Sequence, residues 1–436
     1  MRLFASAALF SLAHAAAPRR PGTPVGRAPS VPPTSVWPAP QSLSLGSTQV
    51  WLDSSFEFSC ATAVCPEALG DAFARYDAAV FFAGTPAALP GGAVAVTGLN
   101  ITVLADAPLA LHVSENYTLS VPAAGGVATA TADTQWGALR ALETFAQLFA
   151  WAGNGVPTRY GCASAPVAVA DFPRWPWRGV LIDSSRHFLT TDAVKITLEA
   201  MAMNKLNTMH WHLVDDSSWP MVSTTLPLMS EKGAYSPEAT YSHADIEDVV
   251  RFANARGIRV VPELDMPAHA SIWGAGYPQF TISCSDGQTL LNPVPAAGLY
   301  DAIDGLLGEF LPLFKTDTIH FGGDEVQNLQ CWGEDAGVKA FMTQQGFTTV
   351  DEVRNYFEGR IQQIALNHSA SSMFWEEVSR CLAPRGRAGG AAHCCRALTC
   401  AAPLRPALAR PNSRCMTTTT PSSLLRSSTS GSPTMR

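Results

Sequence analysis

The chain has little charge: 15% of its 436 residues are Asp, Glu, Lys or Arg, and the net charge is −7. No basic stripe runs through its body, which excludes the electrostatic footprint of a nucleic-acid-binding protein. It also has no apolar run of the roughly 18 residues that a membrane-spanning helix needs. The scarcity is sharpest at the end. Residues 379–436 contain no Lys, Asp, Glu, Phe, Trp or Tyr. Their nine arginines make this segment +9, so a chain of net charge −7 leaves −16 for residues 1–378. The segment also holds five of the ten cysteines and long Ser/Thr and Ala/Pro/Arg tracts without helix or strand period. It is expected to be a disordered tail, or not genuine coding sequence, since the composition breaks directly after a strand pattern.

What is present suffices for two ordinary cores, with 47% hydrophobic residues. Residues 1–15 read as a secretory signal peptide: a positive start at Arg2, an apolar run from Leu3 to Leu12, and the small-x-small site Ala13-His14-Ala15. Residues 16–35 form a proline-rich linker with Arg19, Arg20 and Arg27. The ten cysteines and the sequons at Asn100, Asn116 and Asn367 fit the secretory pathway, with a lysosomal, vacuolar or extracellular destination.

Residues 36–170 have strand-like alternation in NITVLADAPLALHV and ENYTLSVP. A helical stretch follows, WGALRALETFAQLFAW, with Leu139, Leu142, Phe145 and Leu148 at spacings of three. This predicts a small non-catalytic α/β domain. From Asp171 the pattern changes. Five short apolar segments, GVLID (179–183), NTMHWHLVDD (207–216), IRVVPELD (258–265), TIHFGGDE (318–325) and SSMFWEEV (371–378), alternate with helical patterns. One helix is marked by Ser242 and Asp245 as a capping box, with Ile246, Val249, Val250 and Ala253 on one face and Gly257 closing it. Apolar strands alternating with helices predict a parallel sheet buried on both faces. Every predicted strand ends in polar residues, which in a (β/α)₈ barrel converge on the catalytic rim.

Two chemistries fit those residues. His210, His212, His269, His320 and Asp324 could be the ligands of a metal-dependent barrel hydrolase. The adjacent Asp324 and Glu325 fit acid–base glycoside hydrolysis instead. Like charge and apolar surroundings would hold a proton on Glu325. Neighbouring strand residues point to opposite sides, however, so adjacency alone does not make them a nucleophile/acid pair. Trp211, Trp219, Trp273, Trp332 and Trp375, near strand ends, suit stacking on sugar rings.

The stretches VWPAPQ (36–41), ENYTLSV (115–121), WGALRALETFAQL (136–148), DFPRWPWRGVLIDSSRHF (171–188), NKLNTMHWHLVDDSSWP (204–220), RGIRVVPELDMPAH (256–269), HFGGDEV (320–326) and FWEEV (374–378) together resemble family 20 glycoside hydrolases, the β-N-acetylhexosaminidases of lysosomal type. The resemblance implies a (β/α)₈ TIM-barrel catalytic domain over residues 171–378, with about five of eight strands present. It implies removal of terminal β-linked N-acetylhexosamine from glycans or chitin oligosaccharides without metal or cofactor. The substrate's own acetamide oxygen attacks the anomeric carbon. It makes Glu325 the general acid and base and Asp324 the group that holds the acetamide N–H. Arg186 and Trp375 become substrate-binding, and Asp215, His269 and His320 support the acid. Cys284 and Cys331 would form a disulfide, while the pairing of Cys60, Cys65 and Cys162 stays open. Gly322 and Gly323 would leave room for the sugar. Ala268 departs from the family's usual glycine. Family members are often dimers, which leaves a homodimer open. The family's remaining strands, with a tyrosine and further tryptophans, have no counterpart in the tail. The chain as written is therefore expected to fold poorly or turn over little substrate, and a vestigial glycan-binding protein is the alternative.

Overall fold

The computed structural model describes residues 34–61, 65–152 and 158–381. The signal-peptide reading, nearly all of the linker and the tail from 382 onward lie outside the described residues. The N-terminal unit comprises β1 (Ser42–Cys60), α1 (Glu67–Val80), β2 (Ala95–Ala105), β3 (Tyr117–Val121), β4 (Gly126–Thr134), α2 (Gln135–Leu148), β5 (Ala150–Trp151) and β6 (Tyr160–Asp171). Its sheet runs β1-β2-β4-β3-β6-β5, and β1 is long enough to pair with both β2 and β6. The two helices pack on each other, and α2 lies against β3 and β4. Leu139, Leu142, Phe145 and Leu148 of α2 are buried, as their spacing predicts. The ALHV segment at 110–113 is not a strand.

The second unit carries β7 (Gly179–Asp183), α3 (Thr191–Met203), β8 (Thr208–Val214), α4 (Leu228–Gly233), α5 (His243–Asn254), β9 (Arg259–Leu264), α6 (Ser271–Gly276), the hairpin β10 (Thr281–Ser283) and β11 (Thr289–Leu291), α7 (Leu299–Phe314), β12 (Thr318–His320), α8 (Gln330–Glu334), α9 (Ala336–Gln345), α10 (Val350–Asn367), β13 (Ser371–Met373) and α11 (Glu376–Cys381). Among the described residues its main sheet has five strands, all parallel, in the order β13-β12-β9-β8-β7. Helices α3, α5, α7 and α10 pack pairwise in sequence behind it. β8 and β9 are buried along their whole length. The expectation of burial on both faces fails for β7, an edge strand whose Val180 and Leu181 are exposed. The Ser242–Asp245 capping box is present. Gly257 does not close that helix directly. It lies three residues past Asn254 at φ +67°, in the turn that leads into β9.

The units meet around a buried carboxylate. Glu115 accepts from Arg140 Nε at 2.7 Å, Arg178 Nη2 at 2.6 Å and Asn207 Nδ2 at 2.9 Å. Arg140 in turn donates to the Gly257 carbonyl at 3.1 Å, and a Cβ on Gly257 would crowd its guanidinium. The turns before β8 and β9 are thus pinned to the first unit. Burial alone would raise the Glu115 pKa, but Arg140 and Arg178 hold it below its ordinary value. No helix among the described residues is long and apolar enough to cross a membrane. Of the sequons, Asn116 and Asn367 are exposed, whereas Asn100 is half-buried in β2 between β1 and β4, its Oδ1 hidden.

Removing one partner of a buried ion pair leaves the others uncompensated. Glu115→Ala should therefore cost about 3–5 kcal/mol of unfolding free energy, read as a lower urea midpoint at unchanged slope.

Candidate active site

The ends of the five parallel strands bring polar side chains together in two tiers. The inner tier centres on Glu263, fully buried at the end of β9. His212 Nδ1 lies 2.8 Å from Glu263 Oε2, and His320 Nδ1 and Trp375 Nε1 each lie 3.0 Å from Oε1. His210 Nε2 is 2.6 Å from Oε2 but lacks hydrogen-bond geometry. Burial would raise the Glu263 pKa, yet the close ring nitrogens of His210, His212 and His320 outweigh it and hold the carboxyl well below the usual range. Burial pushes His320 down despite Glu263, so it stays neutral at neutral pH. The Trp375 ring packs against His320 and His210 at centroid distances of 4.7 and 5.5 Å.

The outer tier centres on Asp215, just past β8. Its Oδ2 lies 2.7 Å from Arg186 Nη2 and 3.1 Å from His212 Nε2, and its Oδ1 lies 3.2 Å from His269 Nδ1. Arg186 also reaches Asp183 at 3.1 Å. Burial would raise the Asp215 pKa, but the two histidines and Arg186 hold it well below the ordinary carboxylate range. The histidines respond in kind. Burial opposes their charge, but Asp215 and Glu263 push His212 up to about 10. Asp215, Asp265 and Asp324 push His269 up to about 9.

His269 is the link to the adjacent acids Asp324 and Glu325, with Nε2 3.9 Å from Asp324 Oδ2 and 3.5 Å from Glu325 Oε2. The structure corrects the strand reading here. β12 stops at His320, and the chain then turns through Gly322 (φ +63°), Gly323 (φ +89°) and Glu325 (φ +52°). A left-handed loop, not strand alternation, places the two acids. The apolar surroundings expected for Glu325 are absent, because 62% of its side chain is exposed. The two glycines admit protein rather than sugar: a Cβ on Gly322 would collide with Asp265, and one on Gly323 with Val378. Trp211, Trp219, Trp273 and Trp332 are fully buried core residues, so of the five tryptophans only Trp375 stands among the polar groups of the rim.

The structure therefore brings Arg186, Asp215, His269, Asp324 and Glu325 into one continuous network. It sets His320 and Trp375 on Glu263. Glu263 and Asp265 carry much of the arrangement, and singling them out from sequence needed only their place at the end of β9. Cys284 and Cys331 are bonded to each other, as are Cys60 and Cys65, and Cys162 is a free buried thiol. His210, Glu263 and His320 approach one another closely enough to share an ion, as do Asp265, His269 and Asp324, so the metal reading keeps a geometric basis.

Comparison with known proteins separates these readings. Residues 175–386 match the glycosyl hydrolase family 20 catalytic domain, and residues 36–148 match a domain described as beta-acetyl hexosaminidase like. The chain is 34% identical to the beta-hexosaminidase subunit alpha of Rattus norvegicus, over 79% of this chain and 67% of that protein. It is 34% identical to the subunit beta of Felis catus, over 85% and 70%. The chitobiase of Flavobacterium johnsoniae superposes with a TM-score of 0.66 at 30% identity, over 79% of this chain and 53% of that one. The chain belongs to glycosyl hydrolase family 20, whose fold is an N-terminal domain followed by a (β/α)₈ barrel. It spans about half the length of other relatives, such as subunit A1 of Dictyostelium discoideum and beta-hexosaminidase 1 of Arabidopsis thaliana.

The raised His269 pKa has a signed consequence. Its stabilisation is fully present below the ordinary value of 6.5 and is lost as pH rises through about 9. The unfolding free-energy difference between the wild-type chain and His269→Gln should shrink between pH 6 and pH 10. A difference that stays constant across that range would contradict the network as drawn.

Proposed function

We propose that the protein hydrolyses terminal, non-reducing β-linked N-acetyl-D-hexosamine, as N-acetylglucosamine or N-acetylgalactosamine, from glycans or chitin oligosaccharides. The observation that carries this reading is the meeting of Asp324 and Glu325 at His269, backed by Asp215 and Arg186, at the C-terminal ends of parallel strands. Family membership supports a substrate-assisted, retaining course. Glu325 donates its proton to the glycosidic oxygen while the substrate's acetamide oxygen attacks the anomeric carbon; the glycosidic C–O bond breaks, the rest of the glycan leaves as an alcohol, and an oxazolinium ion forms. Asp324 accepts the acetamide N–H and holds that group in line. Glu325, now a carboxylate, takes a proton from the water that opens the ring, and the β configuration returns. No protein atom bonds to the sugar.

The surrounding groups have supporting parts. Arg186, half-exposed and fixed by Asp215 and Asp183, offers a planar fork for ring hydroxyls. Trp375, fixed by its N–H to Glu263, supplies a wall for the acetamide methyl. Cationic His269 stands beside both acids. Its Nε2 lies 3.9 Å from Asp324 Oδ2 and 3.5 Å from Glu325 Oε2, so it can steady the carboxylate that Glu325 becomes once the proton has left. The N-terminal apolar segment, the Cys284–Cys331 disulfide and the exposed sequons Asn116 and Asn367 support a secretory-pathway location.

The test is turnover of an N-acetyl-β-glucosaminide bearing a poor leaving group. Glu325→Gln should lower kcat by about 10²–10⁴-fold, the range for a lost general acid–base. Asp324→Asn should lower kcat more than it raises KM, because its contact strengthens as the acetamide closes. A chelator should change nothing. Loss of turnover on chelation would favour the metal-dependent reading, and sugar binding without turnover would favour the glycan-binding one.

A further inference from the structure

Asp265 is the buried acid that the scheme above does not use. It follows β9 and is buried, and its Oδ1 accepts the Gly323 N–H at 3.0 Å. The neighbouring Met266 N–H donates to the Phe321 carbonyl at 3.0 Å. Gly322 has to be glycine because Asp265 occupies the space of its Cβ. One side chain thus reaches into the turn that presents Asp324 and Glu325. Its second oxygen is poised differently. Asp265 Oδ2, His269 Nε2 and Asp324 Oδ1 are all buried, and none has a hydrogen-bond partner among the described residues. Asp265, His269 and Asp324 each offer an atom within 4.8 Å of the others.

Two carboxylates this close in a buried place are costly to ionise together, and the proton goes to the one more removed from water. Only 1% of the Asp265 side chain is exposed, against 26% for Asp324. We propose that Asp265 is a positioning residue for Asp324: it holds the Gly322–Glu325 turn through the Gly323 N–H and keeps its own proton, so that Asp324 is the charged member of the pair. Burial raises the Asp265 pKa well above the carboxylate range, and the nearby charges of Asp324 and Glu263 add to this against the pull of His269. The Oδ2 hydroxyl then faces the Asp324–His269 space as a donor, and only Asp324 is left to accept the acetamide N–H. This inference rests on the hydrolase reading for its consequence in catalysis, but the hold on the turn does not.

The experiment compares Asp265→Asn with Asp265→Ala in the full chain. Asparagine offers a carbonyl to Gly323 and an N–H toward Asp324, as the protonated acid does. Asp265→Asn should keep turnover within about tenfold of wild type, while Asp265→Ala should lose about 10²-fold in kcat with KM little changed. Hydrogen exchange at the Gly323 amide should be slow in wild type and Asp265→Asn, and about tenfold or more faster in Asp265→Ala. Should Asp265→Ala not fold, Asp265→Ser, too short to reach Gly323, takes its place with the same expectation. Wild-type kcat in Asp265→Ala, or equal loss in both variants, would overturn the proposal. If the wild-type chain turns nothing over, the hydrolase reading fails, and the exchange rates alone decide: unchanged protection of Gly323 in Asp265→Ala refutes the proposal.

Discussion

The arrangement at the strand ends depends on one constraint: a carboxylate taken out of water must be neutralised, paired or protonated. Three acids meet that constraint in three ways. Glu263 is ringed by imidazole and indole nitrogens and stays ionised. Asp215 is paired with Arg186 and two histidines. Asp265 has only a shared cation, His269 Nε2, which lies 3.9 Å from it and 3.9 Å from Asp324, and we assign it a proton. Each solution fixes a different neighbour. Glu263 orients Trp375 and His212, Asp215 orients Arg186 and His269, and Asp265 orients the turn that carries Asp324 and Glu325. The exposed Glu325 is therefore held by its backbone, while its side chain keeps the freedom to meet a substrate.

Among the described residues the N-terminal unit contributes no group to this rim but fixes the scaffold from behind. Arg140, reaching from α2, ends on carbonyls of the turns that enter β8 and β9. Those two strands deliver His212, Asp215, Glu263, Asp265 and His269. Lys205, in a left-handed conformation at φ +55°, donates to Tyr117 Oη at 3.0 Å from the same junction. A small movement there would tilt both strands and displace all three buried acids together.

The strand-and-helix order of the second unit was legible because its signals are local. The Ser242–Asp245 box, the stripe of Ile246, Val249, Val250 and Ala253, and the wholly buried β8 and β9 each follow from neighbouring residues alone. What was not legible depends on partners far along the chain. β1 has a mixed burial pattern because it bends to serve two neighbours, so no period of two persists. The four buried tryptophans look like sugar platforms until the helices that cover them are placed. The exposure of Glu325 and the roles of Gly322 and Gly323 are set by a turn whose left-handed φ values nothing in GGDE alone requires of the glutamate.

That turn has a cost, and the structure shows where it is offset. A non-glycine residue in the left-handed region is less stable by about 1–3 kcal/mol, and the site contains two, His269 and Glu325. Glu325 is held from both sides. On one side the Gly323 N–H is fixed by Asp265 and the Gly323 carbonyl by Arg354 Nη2 at 2.8 Å. On the other, Gln288 donates to the Glu325 carbonyl at 3.0 Å and accepts from the Asn328 N–H at 3.3 Å. Gln288 lies in the turn between β10 and β11, anchored by the Cys284 N–H on its own carbonyl at 2.8 Å. Cys284 in turn is bonded to Cys331, at the start of the helix that follows the loop. The disulfide therefore closes a frame around the loop from Gly322 to Asn328. It fixes the hairpin whose glutamine keeps Glu325 in a conformation that its own sequence would abandon.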